Sequence, residues 1–420
     1  MHDHETWQHL PPAIKGSGLP LPAWAHVIAR HLPRTAAAML MLDYAQRTLS
    51  PLRPVLRAKM RLVVAMANRC DYSTNAAIAD MKRAGESEQS VEQVLGGPEL
   101  WPQQDQLALQ FAHEHSINAP QIDDQLFEQL RIQYGERQVA AMVLLGAYGN
   151  FQDRLLLGLG IQQEQNKPLP PLDIEFAPDA FQTAPILPPN QPTSELPAPG
   201  DRAASDDDEW STISYDELQA RMQRQRQRRQ RLPTPTWEEI VNRLPPGFNS
   251  RPTRIVWNLV CLGYVPELAV PWSRTTRTMW AEAQQDRVLE ESLFWVQTRA
   301  VQCNYCMGHC EMLLEVAGLN THQIETRLRH LAKGDWSAFP PHEQRAYAYA
   351  SKLTKTPWLL TAADYAQLEC DFGAKAAMAI FFWLCRGLYM TRVSDGFQLQ
   401  LESDNVFTEF AQPSVRQSSQ

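Results

Sequence analysis

Apolar residues recur at three- and four-residue spacing over 60–66, 107–111 and 139–156, and again over 289–301, 312–316 and 376–388. Because a helix turns once every 3.6 residues, this spacing gathers an apolar stripe on one face of each segment. Sustained two-residue alternation bounded by turn residues, the mark of a half-buried strand, occurs nowhere. The pattern predicts an all-α fold. Between 165 and 235 the periodicity stops and proline takes over, at Pro168, Pro170, Pro171, Pro185, Pro188, Pro189, Pro192, Pro197 and Pro199. Such a stretch reads as a linker, extended where it is richest in proline. It separates a helical domain at 1–164 from a second at 236–420. Late in the linker, Ser214 and Glu217 have the spacing of a capping box, which predicts a helix over about 215–231. Its arginines, over 221–231, follow an acidic run at 205–209 and have no aromatic residue interleaved. The segment is therefore read as a solvated helix balanced by that run rather than as a nucleic-acid contact.

Composition narrows the class. The chain has 420 residues, 44% of them hydrophobic and 20% charged, which suits two globular domains with a connector. With 39 basic against 47 acidic residues the net charge is −8, so neither nucleic acid nor anionic lipid is an expected partner. No run of 18 apolar residues occurs, and Met1, His2, Asp3, His4 and Glu5 lack the basic start of a signal sequence; a cytoplasmic location is expected. The seven cysteines are odd in number and thinly spread, unlike a secreted disulfide framework.

The two halves resemble each other. Arg69, Cys70, Asp71, Tyr72 and Ser73 align with Gln302, Cys303, Asn304, Tyr305 and Cys306 at an offset of 233 (303 − 70), and Ala84-Gly85 falls on Ala317-Gly318 at the same offset. Farther on, Arg154 matches Arg392 at 238 (392 − 154), which allows a five-residue insertion between. Ordered matches of this kind imply a tandem duplication. For the two arginines the ordinary roles are a helix cap or an ion pair between domains.

Candidate chemistry concentrates in Cys303, Asn304, Tyr305, Cys306, Met307, Gly308, His309 and Cys310. On a helix Cys306 and Cys310 lie about 60° and about 20° from Cys303 and His309 about 120° away, so the three thiols share a face. A CxxC at a helix start also meets unpaired amides and the positive end of the dipole, which favour thiolate. Three uses compete: a redox dithiol in which one cysteine meets an oxidant and its neighbour closes the disulfide; a zinc site of thiols and His309, which lacks the second ligand pair that structural zinc normally takes; or a set of buried small hydrophobes. The redox dithiol fits the spacing best, and no resident cofactor is expected, with zinc as the alternative.

With these residues in view, the chain resembles the carboxymuconolactone decarboxylase and alkylhydroperoxidase AhpD-like family. The resemblance is close in the second half and holds in outline in the first. It implies two tandem all-helical domains joined by the proline-rich linker. Peroxidase members carry a glutamate, eleven residues, CxxC and a histidine soon after; Glu291, Cys303 and Cys306 fit that spacing (303 − 291 = 12). By resemblance, Cys306 is the peroxide-reducing thiol, Cys303 the resolving one, and Glu291, usually acting through a water, forms with a histidine the relay that deprotonates Cys306. The relay histidine commonly stands four positions after the second cysteine. Here that position is Cys310 and His309 stands three after, so either His309 takes the role or Cys310 makes a three-thiol site. The first half lacks the set: Ser73, Ala76, Ala77 and Ala58 stand where Cys306, His309, Cys310 and Glu291 do.

The implied function is a thiol peroxidase with a hydroperoxide substrate, an external dithiol reductant and a homo-oligomeric assembly. A non-redox lactone decarboxylase is one alternative, although that branch does without CxxC. A redox-sensing or zinc-holding interaction protein is the other.

Overall fold

The structure is a computed structural model that describes residues 20–164, 168–170, 213–245, 252–334 and 336–408. Among these the regular structure is helical throughout, with no strand. The first half comprises α1 (Ala23–Ala29), α2 (Pro33–Tyr44), α3 (Pro54–Ala67), α4 (Asp71–Arg83), α5 (Glu88–Leu95), α6 (Gln106–Asn118), α7 (Asp124–Tyr134) and α8 (Glu136–Gly158). After α9 (Tyr215–Gln227) and the short α10 (Trp237–Ile240), the second half runs through α11 (Val256–Tyr264), α12 (Pro266–Ala283), α13 (Arg287–Ala300), α14 (Asn304–Val316), α15 (Thr321–Lys333), α16 (Pro341–Lys355), α17 (Ala362–Phe372) and α18 (Ala374–Phe397). Every periodic segment of the sequence falls within or at the end of one of these helices.

Helix starts recur at the offsets read from the sequence. Helices α11 and α12 begin 233 positions after α1 and α2 (256 − 23, 266 − 33), and so do α13 and α14 after α3 and α4 (287 − 54, 304 − 71). Helices α17 and α18 begin 238 positions after α7 and α8 (362 − 124, 374 − 136). Turn geometry recurs with them. Arg69 and Gln302, each just before a matched cysteine, are left-handed at φ 56° and 63°, and so are Gly135 and Gly373 at 79° and 81°. A non-glycine residue rarely takes such a φ, and its recurrence at both sites marks a shared turn that ends one helix and aims the next.

The halves share one core. Helix α8 packs along its counterpart α18, and α2 along its counterpart α12. Both α8 and α18 are apolar on all faces and buried over most of their lengths, as a central helix must be. Their approach depends on small residues: a Cβ on Gly396 would lie 2.7 Å from Val143 Cγ1. Across the seam Phe151 of α8 meets Phe382 and Trp272 edge-on, each at 5.4 Å between ring centres. No helix is long and apolar enough to cross a membrane among the described residues.

The linker helix departs from the solvated reading. Ser214 does cap α9, accepting from the Glu217 backbone N–H at 3.2 Å. However, Leu218 and Met222, one turn apart, are fully buried against the second half. Their i,i+4 spacing makes a narrow apolar seam that the surrounding charge hides in the sequence. Among the described residues its arginines pair with Glu217 and with Asp124 of the first half; the acidic run at 205–209 lies outside the described residues along with most of the proline-rich stretch.

Candidate functional site

The left-handed turn at Gln302 places Cys303 at the N-cap of α14, and Cys306, His309 and Cys310 follow on the first two turns. All three thiols are buried, but they face different surroundings. Cys303 Sγ lies 3.9 Å from the Thr391 carbonyl of α18, in contact with Cys306 and Asp395. Cys310 points at Glu291 of α13. Cys306 Sγ, 3.3 Å from Ser394 Oγ, opens onto a cavity of about 620 Å³ that Cys303 and Cys310 do not line. Trp257, Trp272, Trp280, Phe294 and Met390 form much of its wall, and His309, Glu291, Arg287 and Arg386 supply its polar groups. A mostly apolar chamber of this size with a few convergent polar groups is the usual form of a small-molecule site.

His309 is held by a residue far along the chain. Its Nε2 lies 2.7 Å from Glu402 Oε2. The other oxygen of Glu402 accepts from Tyr305 Oη at 3.0 Å and from the Val256 N–H at 2.7 Å, and Tyr305 Oη accepts in turn from the Trp257 N–H at 3.2 Å. Burial opposes the charge on Glu402, yet His309 and the backbone donors outweigh it and hold the carboxyl below its ordinary range. Gly308 makes the approach possible, since a Cβ there would run into Leu401, the neighbour of Glu402. Helix α9 braces the same segment: Gln225 Nε2 donates to the Leu399 carbonyl at 2.6 Å, and the Leu401 N–H donates to the Gln225 carbonyl at 3.2 Å.

Glu291 is fully buried, and neither oxygen has an aligned hydrogen-bond partner among the described residues. The Arg287 guanidinium 2.9 Å from Oε1 supplies charge. Burial raises its pKa, while Arg287 and Arg386 pull the other way. Its neighbour Glu290 is pushed up to about 7 by burial. Burial drives Cys303 and Cys310 well above the ordinary thiol range, against the activation expected at a helix start. Asp395, buried beside Cys303, is pushed up to about 7 by burial despite Arg392.

The structure thus brings Cys303, Cys306, His309, Cys310 and Glu291 into one region but gives them different surroundings. Its histidine hydrogen-bonds to Glu402, not to Glu291. Among the described residues, no group of three or more His, Cys, Asp or Glu side chains is arranged to hold a metal ion. No family model matches the chain, and no curated protein matches it significantly. Glu402, Ser394, Asp395 and Arg386 are the site residues that sequence reading missed. One signal pointed to Glu402: at the offset of α8 and α18 it falls on Glu164 (402 − 164 = 238). The others come from α18, whose continuous apolar pattern hides which face meets α14.

Proposed function

We propose that the chain is a thiol peroxidase of the alkylhydroperoxidase AhpD-like kind, made of two tandem helical domains with the linker between them and the working site in the second. The observation that carries this reading is the placement of Cys306, the one thiol among the described residues that lines the large cavity, with Cys303 in contact behind it and the His309–Glu402 pair at the cavity edge.

In this reading His309, oriented by Glu402, takes the proton of Cys306. The thiolate attacks the terminal oxygen of a hydroperoxide; the O–O bond breaks, Cys306 becomes a sulfenic acid, and the leaving alkoxide takes a proton to depart as alcohol. Cys303 then attacks the Cys306 sulfur, releasing water and forming the disulfide, and an external dithiol returns both thiols. Helix α14 need not unwind, because the pair spans its first turn. Glu291, buried and easily protonated beside Cys310, is suited to hold a proton near the leaving oxygen. The pairing of α8 with α18 supplies within one chain a contact that single-domain relatives would make by oligomerising.

The test is peptide mapping after one equivalent of an organic hydroperoxide. A Cys303–Cys306 disulfide is expected, with loss of two free thiols. Recovery of both as free thiols would overturn the reading.

A further inference from the structure

Two arginines that this chemistry does not use occupy matched places in the central helices, Arg154 on α8 and Arg392 on α18. Each is only 4% exposed. Arg154 Nη1 donates to Asn150 Oδ1 at 2.9 Å and to Asn68 Oδ1; Arg392 Nη2 donates to the Ser116 carbonyl at 2.9 Å. The Nε of each has no partner among the described residues. Neither arginine has a carboxylate of those residues within ion-pair distance, so the interdomain ion pair that a buried arginine ordinarily serves is absent there.

Both line one cavity of about 420 Å³ between the halves, with Asn68, Ser116, Thr354 and Lys355 among its other walls and no aspartate or glutamate. The carboxylates nearest in sequence are otherwise engaged. Asp153 pairs with Arg61 and accepts from Asn68 Nδ2, and Asp395 faces Cys303, so each reaches its arginine only by charge at longer range and not by a hydrogen bond. A guanidinium stripped of water and given only neutral partners recovers part of its lost solvation. Two of them beside each other add repulsion: burial and the charge of Arg392 push Arg154 down to about 9. A counter-charge placed between them would relieve both costs, and the planar guanidinium fork is well matched to an oxyanion.

We propose that this cavity, lined by residues of both halves, binds the phosphate or carboxylate group of a small molecule between Arg154 and Arg392, with Lys355 at the mouth. Polar surface outweighs the apolar surface that Ile117, Val301 and Trp358 add to the lining, and the volume exceeds that of a bare oxyanion, so the ligand is a small polar organic anion. The site is separate from the cysteine cavity and does not depend on the peroxidase reading.

The experiment is thermal unfolding of the full chain with increasing inorganic phosphate, succinate or a sugar monophosphate, ionic strength being held constant with sodium chloride. A saturable rise in Tm with at least one of these, absent with chloride alone, is expected. Whether phosphate or succinate gives the larger rise identifies the group. Lys355→Gln, at an exposed position, should weaken the apparent affinity roughly three- to tenfold, as the loss of one partly exposed ion pair does. Arg392→Gln should abolish the rise, while Arg30→Gln, on the exposed surface, should keep it. Should Arg392→Gln fail to fold, Lys355→Glu decides, since a carboxylate at the mouth must suppress binding. An equal rise with chloride, or one unchanged in Lys355→Glu, overturns the proposal.

Discussion

The same helical frame surrounds two very different interiors. In the second half Cys306, His309 and Glu291 border a cavity of about 620 Å³; in the first half the matched space has shrunk to about 70 Å³. Ser73 stands for Cys306, and Arg61, matched to Phe294 (294 − 61 = 233), reaches across to donate to Ser73 Oγ at 2.7 Å and to pair with Asp153. The linker entrance covers what is left: Arg83 donates to the Pro168 carbonyl at 2.7 Å and Arg47 to the Leu169 carbonyl at 3.1 Å. One feature survives in both halves. Glu164 accepts from Tyr72 Oη at 2.6 Å and from the Ala23 N–H at 3.0 Å, as Glu402 does from Tyr305 and Val256. The tyrosine–carboxylate clasp therefore belongs to the fold, tying the chain after the long helix back to α14 or α4. What the second half adds is His309, where the first has Ala76; in the proposed mechanism that single ring turns a structural clasp into a proton-accepting pair.

The comparison is broken most directly at the sulfur. Cys306→Ser should reduce hydroperoxide turnover with an external dithiol to the uncatalysed background, while Ser73→Cys should add none, because Arg61 and Asp153 fill the space an oxidant needs. Turnover in the single and double variants checks both outcomes, and activity arising from the thiol introduced in the first half would remove the distinction between the halves.

Next in size is the histidine. His309→Ala makes the working clasp resemble the silent one, and the rate of Cys306 oxidation near neutral pH should fall by about 10²- to 10⁴-fold. Part of the loss should return at high pH, where the thiol ionises unaided. Glu402→Gln should produce a smaller loss, since it keeps the hydrogen bonds of the clasp but weakens the pull on the imidazolium. Stopped-flow pH profiles separate these cases.

In the first half the effect should appear in stability rather than turnover. Arg61→Leu leaves Asp153 buried without its cation and should cost about 3–5 kcal/mol, as the breaking of buried pairs does. Denaturant unfolding measures the cost, and peroxide turnover of the folded fraction should be unchanged.

The smallest effect concerns Asp395, where the first half has Leu157 (395 − 157 = 238). Its carboxyl titrates at about 7 when folded, against about 4 in an unfolded chain. Folding thus favours the protonated form, so the stabilisation is complete below about pH 4 and is lost as pH rises through about 7. Asp395→Asn cannot ionise, so it should gain about 2–3 kcal/mol on the natural chain as pH rises from about 5 to about 8. Unfolding midpoints across that range test the sign, and an equal pH dependence in both proteins would locate the titration elsewhere.

Local pattern by itself determined the helical class and the placement of CxxC at a helix start, because each depends on neighbours within a turn or two, and the matched residues of the two halves gave the repeat offset. The motif Cys303, Cys306, His309 was legible for the same reason. Tertiary structure alone decided which thiol meets the cavity, which carboxylate meets the histidine, and how Arg154 and Arg392 come to share a polar chamber. Those outcomes depend on the face that α18 turns toward α14 and on a segment nearly a hundred residues downstream of His309. A helix apolar on every side carries no moment from which that face can be read. Burial then reset the chemistry: local helix geometry favours thiolate at Cys303, but the packed interior favours the neutral thiol and prevails, because removing a charge from water outweighs the pull of one helix end.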